Sequence, residues 1–432
     1  MISPAREVCY QIMKLIEIER LNCDDALNSP IMQGLEIRDR HLVTEIVYGS
    51  LRWQATLDYI LAGVATRPWN QIPSGAKILL RISLYQLWQM DRIPDHAVVN
   101  DAVELAKNEL GRGISRYINA VLRRLARERP WENQNEFLRA APPWIRASLP
   151  KWLWQRWVGR YGVSNAMDYA LSLNVPPRPA IRLDSGKQET AFPAATPSDL
   201  VPDAWIVTSS GAELARSDFG HFDYQDEASQ LIPHLLGSIQ GWRVWDVCAA
   251  PGGKYAILRR KCGPEGKVIA SDLRWERIRL LVKSIKDYRA EDFYIVQADV
   301  TRPAPFRCCF NAVLADVPCS GLGTLRRNPE IKWRFRPPRL VSLQATQKRI
   351  LDSVCESVCV GGYLLYSTCS TEPEENEQVV EYFLQTHPSF SLQRPEYPPG
   401  IEAWVGPDRM VRTFPSSRPW DGFFAALLKR CS

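Results

Sequence analysis

Apolar residues in the first third of the chain recur every three to four positions. In "HAVVNDAVELAKNEL" they fall at Val99, Ala102, Val103, Ala106 and Leu110. In "SRYINAVLRRLARER" they fall at Ile118, Val121, Leu122 and Leu125. Both patterns predict amphipathic helices. Ser3-Pro4 is a helix-start signal for the stretch through Arg20. "AKILLRISLYQLWQM" is apolar nearly all round, which predicts a central buried helix. Residues 1–135 therefore read as an all-helical domain. Residues 136–230 read as a small linking domain. It starts with a tryptophan-rich helix, "PKWLWQRWVGRYG", and is then broken by Pro176, Pro177, Pro179, Pro193, Pro197 and Pro202. Across residues 231–432 short apolar runs alternate with helical stretches. The runs are "WRVWDV", "GKVIASD", "DFYIVQAD", "NAVLADV" and "GYLLYST"; the helical stretches include "RWERIRLLVKSIKDY" and "PRLVSLQATQKRILDSVCESV". This alternation predicts βαβ units, a parallel sheet and helices on both faces.

Composition narrows the class without choosing a function. The chain has 432 residues, 45% hydrophobic and 24% charged. That suits a soluble multi-domain protein. No run approaches a membrane span, and the opening Met-Ile-Ser-Pro-Ala-Arg-Glu lacks the segments of a signal peptide, so a cytoplasmic protein is expected. The eleven cysteines include no Cys-x-x-Cys pair, and Cys355 and Cys359 sit four apart on a predicted helix without a partner pair. Neither a disulfide framework nor a metal site is expected. Net charge is +6, and the basic residues cluster. Arg116, Arg123, Arg124 and Arg127 share one helix face, which suits a solvated surface and an RNA contact equally.

Four apolar runs carry an aspartate at or near their end: Asp246, Asp272, Asp299 and Asp316. Ligands bind outside the carboxyl ends of strands in an open parallel sheet, so these acids should line one rim. The first run leads into "CAAPGGKYAILRRK", whose small residues Ala249, Ala250, Gly252 and Gly253 allow close backbone approach to a ligand. The segment matches neither the dinucleotide nor the P-loop fingerprint, which disfavours a dehydrogenase or an ATP site. Asp272 is placed to accept from a ribose and Asp299 from an adenine amino group. An adenosine-bearing cation without a phosphate chain, such as S-adenosylmethionine, suits that rim.

Two further runs each deliver a cysteine just past a strand end, Cys319 and Cys369. Thr371-x-x-Glu374, with Pro373 in the first turn, reads as a capping box. Cys369 would then precede a helix N-terminus, which favours the thiolate. Two thiols, an acid and a cofactor loop on one rim suit methylation of pyrimidine C5. A thiolate adds at C6, C5 becomes electron-rich, and a second group helps remove the C5 proton from a base swung out of its stack. After Cys319, the cations Arg326, Arg327, Lys332, Arg334, Arg336 and Arg339 interleave with Trp333 and Phe335, a pattern expected to hold phosphate and stack on unpaired bases.

"DVCAAPGGK", "DVPCSGLGTLRRNPEIKWR", "YSTCSTEPEEN" and "DGFFAALLK" closely resemble the Sun-type RNA cytosine-C5 methyltransferases. "RDRHLVTEIVYGSLRW" and "RYINAVLRRLAR" resemble NusB-type RNA-binding domains. The resemblance implies an all-α NusB-like domain, a small linking domain, and an α/β Rossmann-like class I methyltransferase domain with a mostly parallel seven-stranded sheet. It implies transfer of a methyl group from S-adenosylmethionine to C5 of a cytosine in 16S rRNA, at cytosine 967. By position, Cys369 matches the nucleophile, Cys319 the thiol that assists product release, and Asp316 the acid beside cofactor and target base. Cys248, Ala249, Ala250, Pro251, Gly252, Gly253 and Lys254 match the methionine-binding loop, Asp272 the ribose ligand and Asp299 the adenine-side ligand. Tyr255 and Val317 depart from the family's usual threonine and alanine, and both are bulkier. No metal or membrane partner is implied, and a monomer is expected. The rival readings are a tRNA cytosine-C5 methyltransferase and a non-catalytic RNA-binding assembly factor.

Overall fold

The computed structural model describes residues 2–132, 139–183, 194–208, 222–286, 293–307, 309–413 and 420–432. Pro193 and the end of "RWERIRLLVKSIKDY" lie outside the described residues. The chain divides into two compact units, 1–176 with 325–334, and 177–324 with 335–432.

The first unit is helical: α1 (Pro4–Glu17), α2 (Cys23–Leu27), α3 (Ile37–Arg52), α4 (Gln54–Val64), α5 (Ser74–Gln89), α6 (Asp95–Glu109), α7 (Arg112–Glu128), α8 (Pro143–Arg146) and α9 (Lys151–Ser172). As its all-round apolar pattern predicts, α5 is the central element and packs against α1, α3, α4, α6 and α7. Its one buried cation, Arg81, is held by Glu17 and Asp58, each at 2.6 Å. Helix α7 buries Ile118, Val121, Leu122 and Leu125 and exposes Arg116, Arg123, Arg124 and Arg127. The tryptophan-rich helix breaks at Gly162, whose φ of +77° only glycine adopts readily, and resumes to Ser172.

The basic run after Cys319 behaves differently from its RNA-contact expectation. Lys332 is buried, and its Nζ donates to Arg52 O (2.8 Å), Ser148 O (3.0 Å) and Asn174 Oδ1 (3.3 Å). Trp333 donates to Leu51 O, and Arg334 to the carbonyls of Ile16, Arg20 and Leu21. Arg326 and Phe335 are buried as well. These side chains answer unpaired carbonyls at the ends of helices and turns. Arg336 and Arg339 remain exposed.

The second unit holds two sheets. A small antiparallel sheet of β1 (Ala180–Leu183), β2 (Ala195–Pro197), β3 (Ala204–Val207) and β4 (Phe222–Tyr224) has the order β2-β3-β1-β4. Strands of three or four residues between prolines leave no period to detect, and the sequence does not announce this sheet. The large sheet contains β5 (Arg243–Asp246), β6 (Lys267–Asp272), β7 (Tyr294–Gln297), β8 (Phe310–Asp316), β9 (Val358–Thr368), β10 (Phe390–Gln393), β11 (Val411–Arg412) and β12 (Phe424–Arg430). Its order is β10-β12-β9-β8-β5-β6-β7, with the two-residue β11 added on β12, so eight strands replace the expected seven. The β5–β9 pairs are parallel and the β12 pairs antiparallel. The helix expected to run through Val358 ends at Val354. Cys359 lies in β9, because β-branched and aromatic residues from Val358 onward extend the strand beside β8. Strand order reverses at β5, and a crevice opens at the carboxyl ends of β5 and β8.

Candidate active site

A cavity of about 410 Å³ lies at that reversal. Its lining includes Asp246, Cys248, Ala249, Ala250, Pro251, Gly253, Lys254 and Asp316. The turn after β5 enters α11 (Gly253–Cys262), the helix after α10 (Glu227–His234), through Gly252 at φ +115°. The backbone conformation there calls for glycine.

Asp316 ends β8 and is held at both oxygens. Ser367 Oγ donates to Oδ1 at 2.6 Å and Lys254 Nζ to Oδ2 at 2.7 Å. Burial alone would lower the Lys254 pKa; Asp316, Cys369 and Asp246 outweigh it and raise it. The ammonium also lies 5.1 Å from the Phe423 ring centroid. Asp246, at the end of β5, is buried, and neither carboxylate oxygen has a hydrogen-bond partner. Burial, then the negative charge of Asp316, pushes its pKa up to about 8, against the pull of Lys254. Two orphaned carboxylate oxygens beside a cavity make a site suited to a cation. The folded chain keeps the Asp246 proton that the unfolded chain loses near pH 4. The contribution of Asp246 to stability should therefore fall as pH rises from about 4 to about 8, by at most about 1.4 kcal/mol per pH unit. Asp246→Asn should match the wild type near pH 4 and be the more stable protein at pH 8 in urea titrations. Equal stability at both values would remove this charge from the account.

Cys319 and Cys369 extend from the adjacent ends of β8 and β9, and their sulfurs lie 3.2 Å apart, each half-buried. The hydrogen bond to Cys369 and burial raise the Cys319 pKa well above the ordinary thiol value. The Cys248 thiol is pushed up mainly by burial and stays protonated. The capping-box expectation fails. The helix begins at Glu377, and residues 371–376 form turns in which Glu375 points back to Ser320, Ser370 and Gln347. The helix starts eight residues past Cys369, so that thiol has no helix N-terminus beside it. Lys254 is a positive group that interacts electrostatically with Cys369.

Asp272 and Asp299 do not line the cavity. Asp272 is buried at the end of β6, 3.5 Å from Arg277 Nε, and Arg277 also donates to Ala250 O. Asp299 lies two residues past β7. Its Oδ1 accepts from the Thr301 amide and hydroxyl, which lower its pKa, and Oδ2 lies 3.3 Å from Arg302. Tyr255 and Val317 are buried in the core clusters and do not line the cavity. Sequence reasoning missed Arg182. It is buried on β1 and donates to Gln225 Oε1 (2.5 Å), Asp223 Oδ2 (2.6 Å) and Gly253 O (2.9 Å). Arg182, Asp223 and Gln225 line the cavity, yet no motif or period marked them. Asp246 was visible as a strand-end acid, though not as a site residue. Among the described residues no cluster of three or more His, Cys, Asp or Glu could hold a metal ion, and no helix is long and apolar enough to cross a membrane.

Two family models match separate parts of the chain. Residues 234–429 match the family model "16S rRNA methyltransferase RsmB/F", and residues 3–127 match the NusB family. The ribosomal RNA small subunit methyltransferase B of Thermus thermophilus is 32% identical, over 91% of this chain and 89% of that protein. The protein of the same name from Erwinia tasmaniensis is 31% identical, over 90% of each. The crystal structure of PH0851 shares the fold, with a TM-score of 0.78 and 24% identity, over 99% of both chains. NSun6 from Pyrococcus horikoshii, solved with SFG, covers 66% of this chain and 98% of its own at a TM-score of 0.57 and 19% identity. With full-length relatives above 30% identity, a NusB-type helical region and a methyltransferase sheet, the chain belongs to the RsmB/F family of S-adenosylmethionine-dependent rRNA methyltransferases.

Proposed function

We propose that the protein methylates C5 of a cytosine in 16S rRNA, at cytosine 967, through a covalent bond between Cys369 and C6. The observation that carries this reading is the pair of half-buried sulfurs 3.2 Å apart at the ends of adjacent strands. Asp246, with its orphaned oxygens, and the loop from Cys248 through Lys254 would hold S-adenosylmethionine. Asp272 would accept from its ribose. Asp299 would reach the adenine amino group with Oδ2, since Thr301 occupies Oδ1. When bound, the cofactor supplies an electrophilic methyl group.

The Cys369 thiol loses its proton to solvent, and its sulfur forms a bond to C6 as the C5–C6 double bond opens. The electrons of the ring double bond move to C5, which would take the methyl group as the cofactor's sulfur–methyl bond breaks and its electron pair stays on the sulfur, cancelling the positive charge. Lys254 and Asp316 stabilise the charges that develop beside the sulfur and the base. Release requires loss of the C5 proton and cleavage of the S–C6 bond, which returns the electrons to sulfur. Cys319 is suited to that second half for a physical reason. The largest influence holding its proton in place is Cys369, and a Cys369 sulfur bonded to carbon no longer exerts it. Cys319 then gives up its proton to solvent more readily, and the resulting thiolate accepts the C5 proton.

Cys319→Ala should consequently stall the reaction after methyl transfer and accumulate a protein–RNA adduct. It would be seen as a shifted band under denaturing conditions with S-adenosylmethionine and small-subunit rRNA. Clean product release from this variant would remove Cys319 from the role. Bisulfite sequencing of rRNA from a deletion strain tests the target position.

A further inference from the structure

We propose that Glu375 is a positioning residue that holds the two thiols at reacting distance, by tying the loop that carries Cys319 to the loop that carries Cys369. The value of that distance to catalysis rests on the function proposed above; the tie itself does not.

The Glu375 carboxylate is fully buried, at 0% exposure. Its Oε1 accepts from the Ser320 amide (2.8 Å) and from Gln347 Nε2 (3.1 Å). Its Oε2 accepts from the hydroxyls of Ser320 and Ser370, both at 2.5 Å. Ser320 directly follows Cys319, and Ser370 directly follows Cys369. One carboxylate oxygen therefore bridges the immediate neighbours of the two sulfurs. Gln347 widens the tie by donating also to the carbonyl of Pro318, on the other side of Cys319. Asn376 does the same for Cys369: it accepts from Thr368 Oγ1 (2.6 Å) and donates to Ser370 O (2.9 Å). The Tyr366 hydroxyl anchors the turn through Glu375 O.

A carboxylate suits this place because each oxygen accepts two hydrogen bonds and neither needs a proton. Glutamine can preserve most of the arrangement. Its oxygen keeps the Ser320 amide and Gln347, and its amino group donates to the two hydroxyls, which already lie 3.2 Å apart and can then bond one another. Aspartate is one methylene too short, and alanine makes no bond.

Two measurements test the tie. The first is made on the free protein. Hydrogen peroxide converts two thiols to a disulfide with release of two waters, and peptide mass spectrometry times formation of the Cys319–Cys369 linkage. Wild type and Glu375→Gln should cross-link at rates within about threefold, while Glu375→Ala and Glu375→Asp should be slower by on the order of tenfold to 10²-fold. The second is kinetic: Glu375→Ala should lose a similar factor in kcat with KM for S-adenosylmethionine unchanged, because the cavity lining does not include Glu375. If the alanine variant does not fold, Ser370→Ala removes one strut and leaves the carboxylate three donors; its cross-linking should fall between wild type and Glu375→Asp. Wild-type cross-linking in Glu375→Asp and Ser370→Ala would overturn the proposal. So would a kcat in Glu375→Gln as low as in Glu375→Asp. Absence of an RNA adduct in Cys319→Ala would instead count against the proposed chemistry, because disulfide timing involves no methyl transfer.

Discussion

Cys369→Ser is expected to abolish methyl transfer, lowering kcat by more than about 10³-fold while S-adenosylmethionine binding, measured by calorimetry, stays within about twofold of wild type. The substitution changes one atom at a half-buried position, so packing is preserved and the loss reports on chemistry. A thiol is a few per cent ionised at neutral pH and its thiolate is intrinsically nucleophilic, whereas a serine hydroxyl needs an adjacent base to attack carbon. Lys254 and Asp316 are paired with one another at 2.7 Å, and Ser367 holds the other Asp316 oxygen, so both groups are already engaged. No RNA adduct should form in this variant. Combined with Cys319→Ala, it should erase the adduct that the single Cys319→Ala variant accumulates. Turnover within tenfold of wild type would exclude Cys369 as the nucleophile.

Lys254→Met should be the second most damaging change, and it should act on stability as well as rate. Methionine keeps the length and apolar body of lysine, so the variant removes little except charge. The ammonium is the partner of Asp316 and opposes the raised pKa of Asp246. Without it, two strand-end carboxylates face one another in a poorly solvated rim. Removing one member of a buried pair costs on the order of 3 kcal/mol. Because Asp246 can take up a proton, the loss should be smaller at pH 5 than at pH 8, which paired urea titrations would show. The rate should fall by on the order of 10²-fold, since a positive charge that interacts with Cys369 is gone. Unchanged stability at pH 8 would mean that Asp316 and Asp246 are screened by solvent and that the pair contributes little.

The parts of the fold with a sustained period were legible along the chain. Helices α5 and α7 carry long apolar patterns, and the same residues are buried. Strands β5 to β9 are short apolar runs that end in acids or at a cysteine, and alternation with helices is enough to make them parallel. The small sheet β1–β4 was not legible, because its strands are three or four residues long and the side chains it brings to the cavity, Arg182, Asp223 and Tyr224, belong to no motif. The basic run after Cys319 was misread for the opposite reason. Its composition is that of a nucleic-acid surface, but Lys332, Trp333 and Arg334 spend their donors on backbone carbonyls of the helical unit. Composition counts charges; it does not say which acceptors they meet. The capping box failed likewise. The spacing of Thr371 and Glu374 satisfies the pattern, yet the turn is held by long-range bonds to Glu375 that no local rule can weigh.

The chemical inventory of the site was set by local order: a glycine-rich turn after an apolar run, acids at run ends, and two cysteines one and three residues past a strand. Such features depend on neighbours a few residues apart and can be read directly. Which of these groups meet was decided by folding alone. Sheet order placed β8 beside β9 and so brought together sulfurs fifty positions apart. It left Asp299 to its own turn, turned Asp246 into an unsatisfied carboxylate, and recruited Arg182, Gln347 and Glu375, none of which the sequence had marked as a site residue. Contact, burial and charge balance are properties of distance in space, and separation along the chain does not encode them.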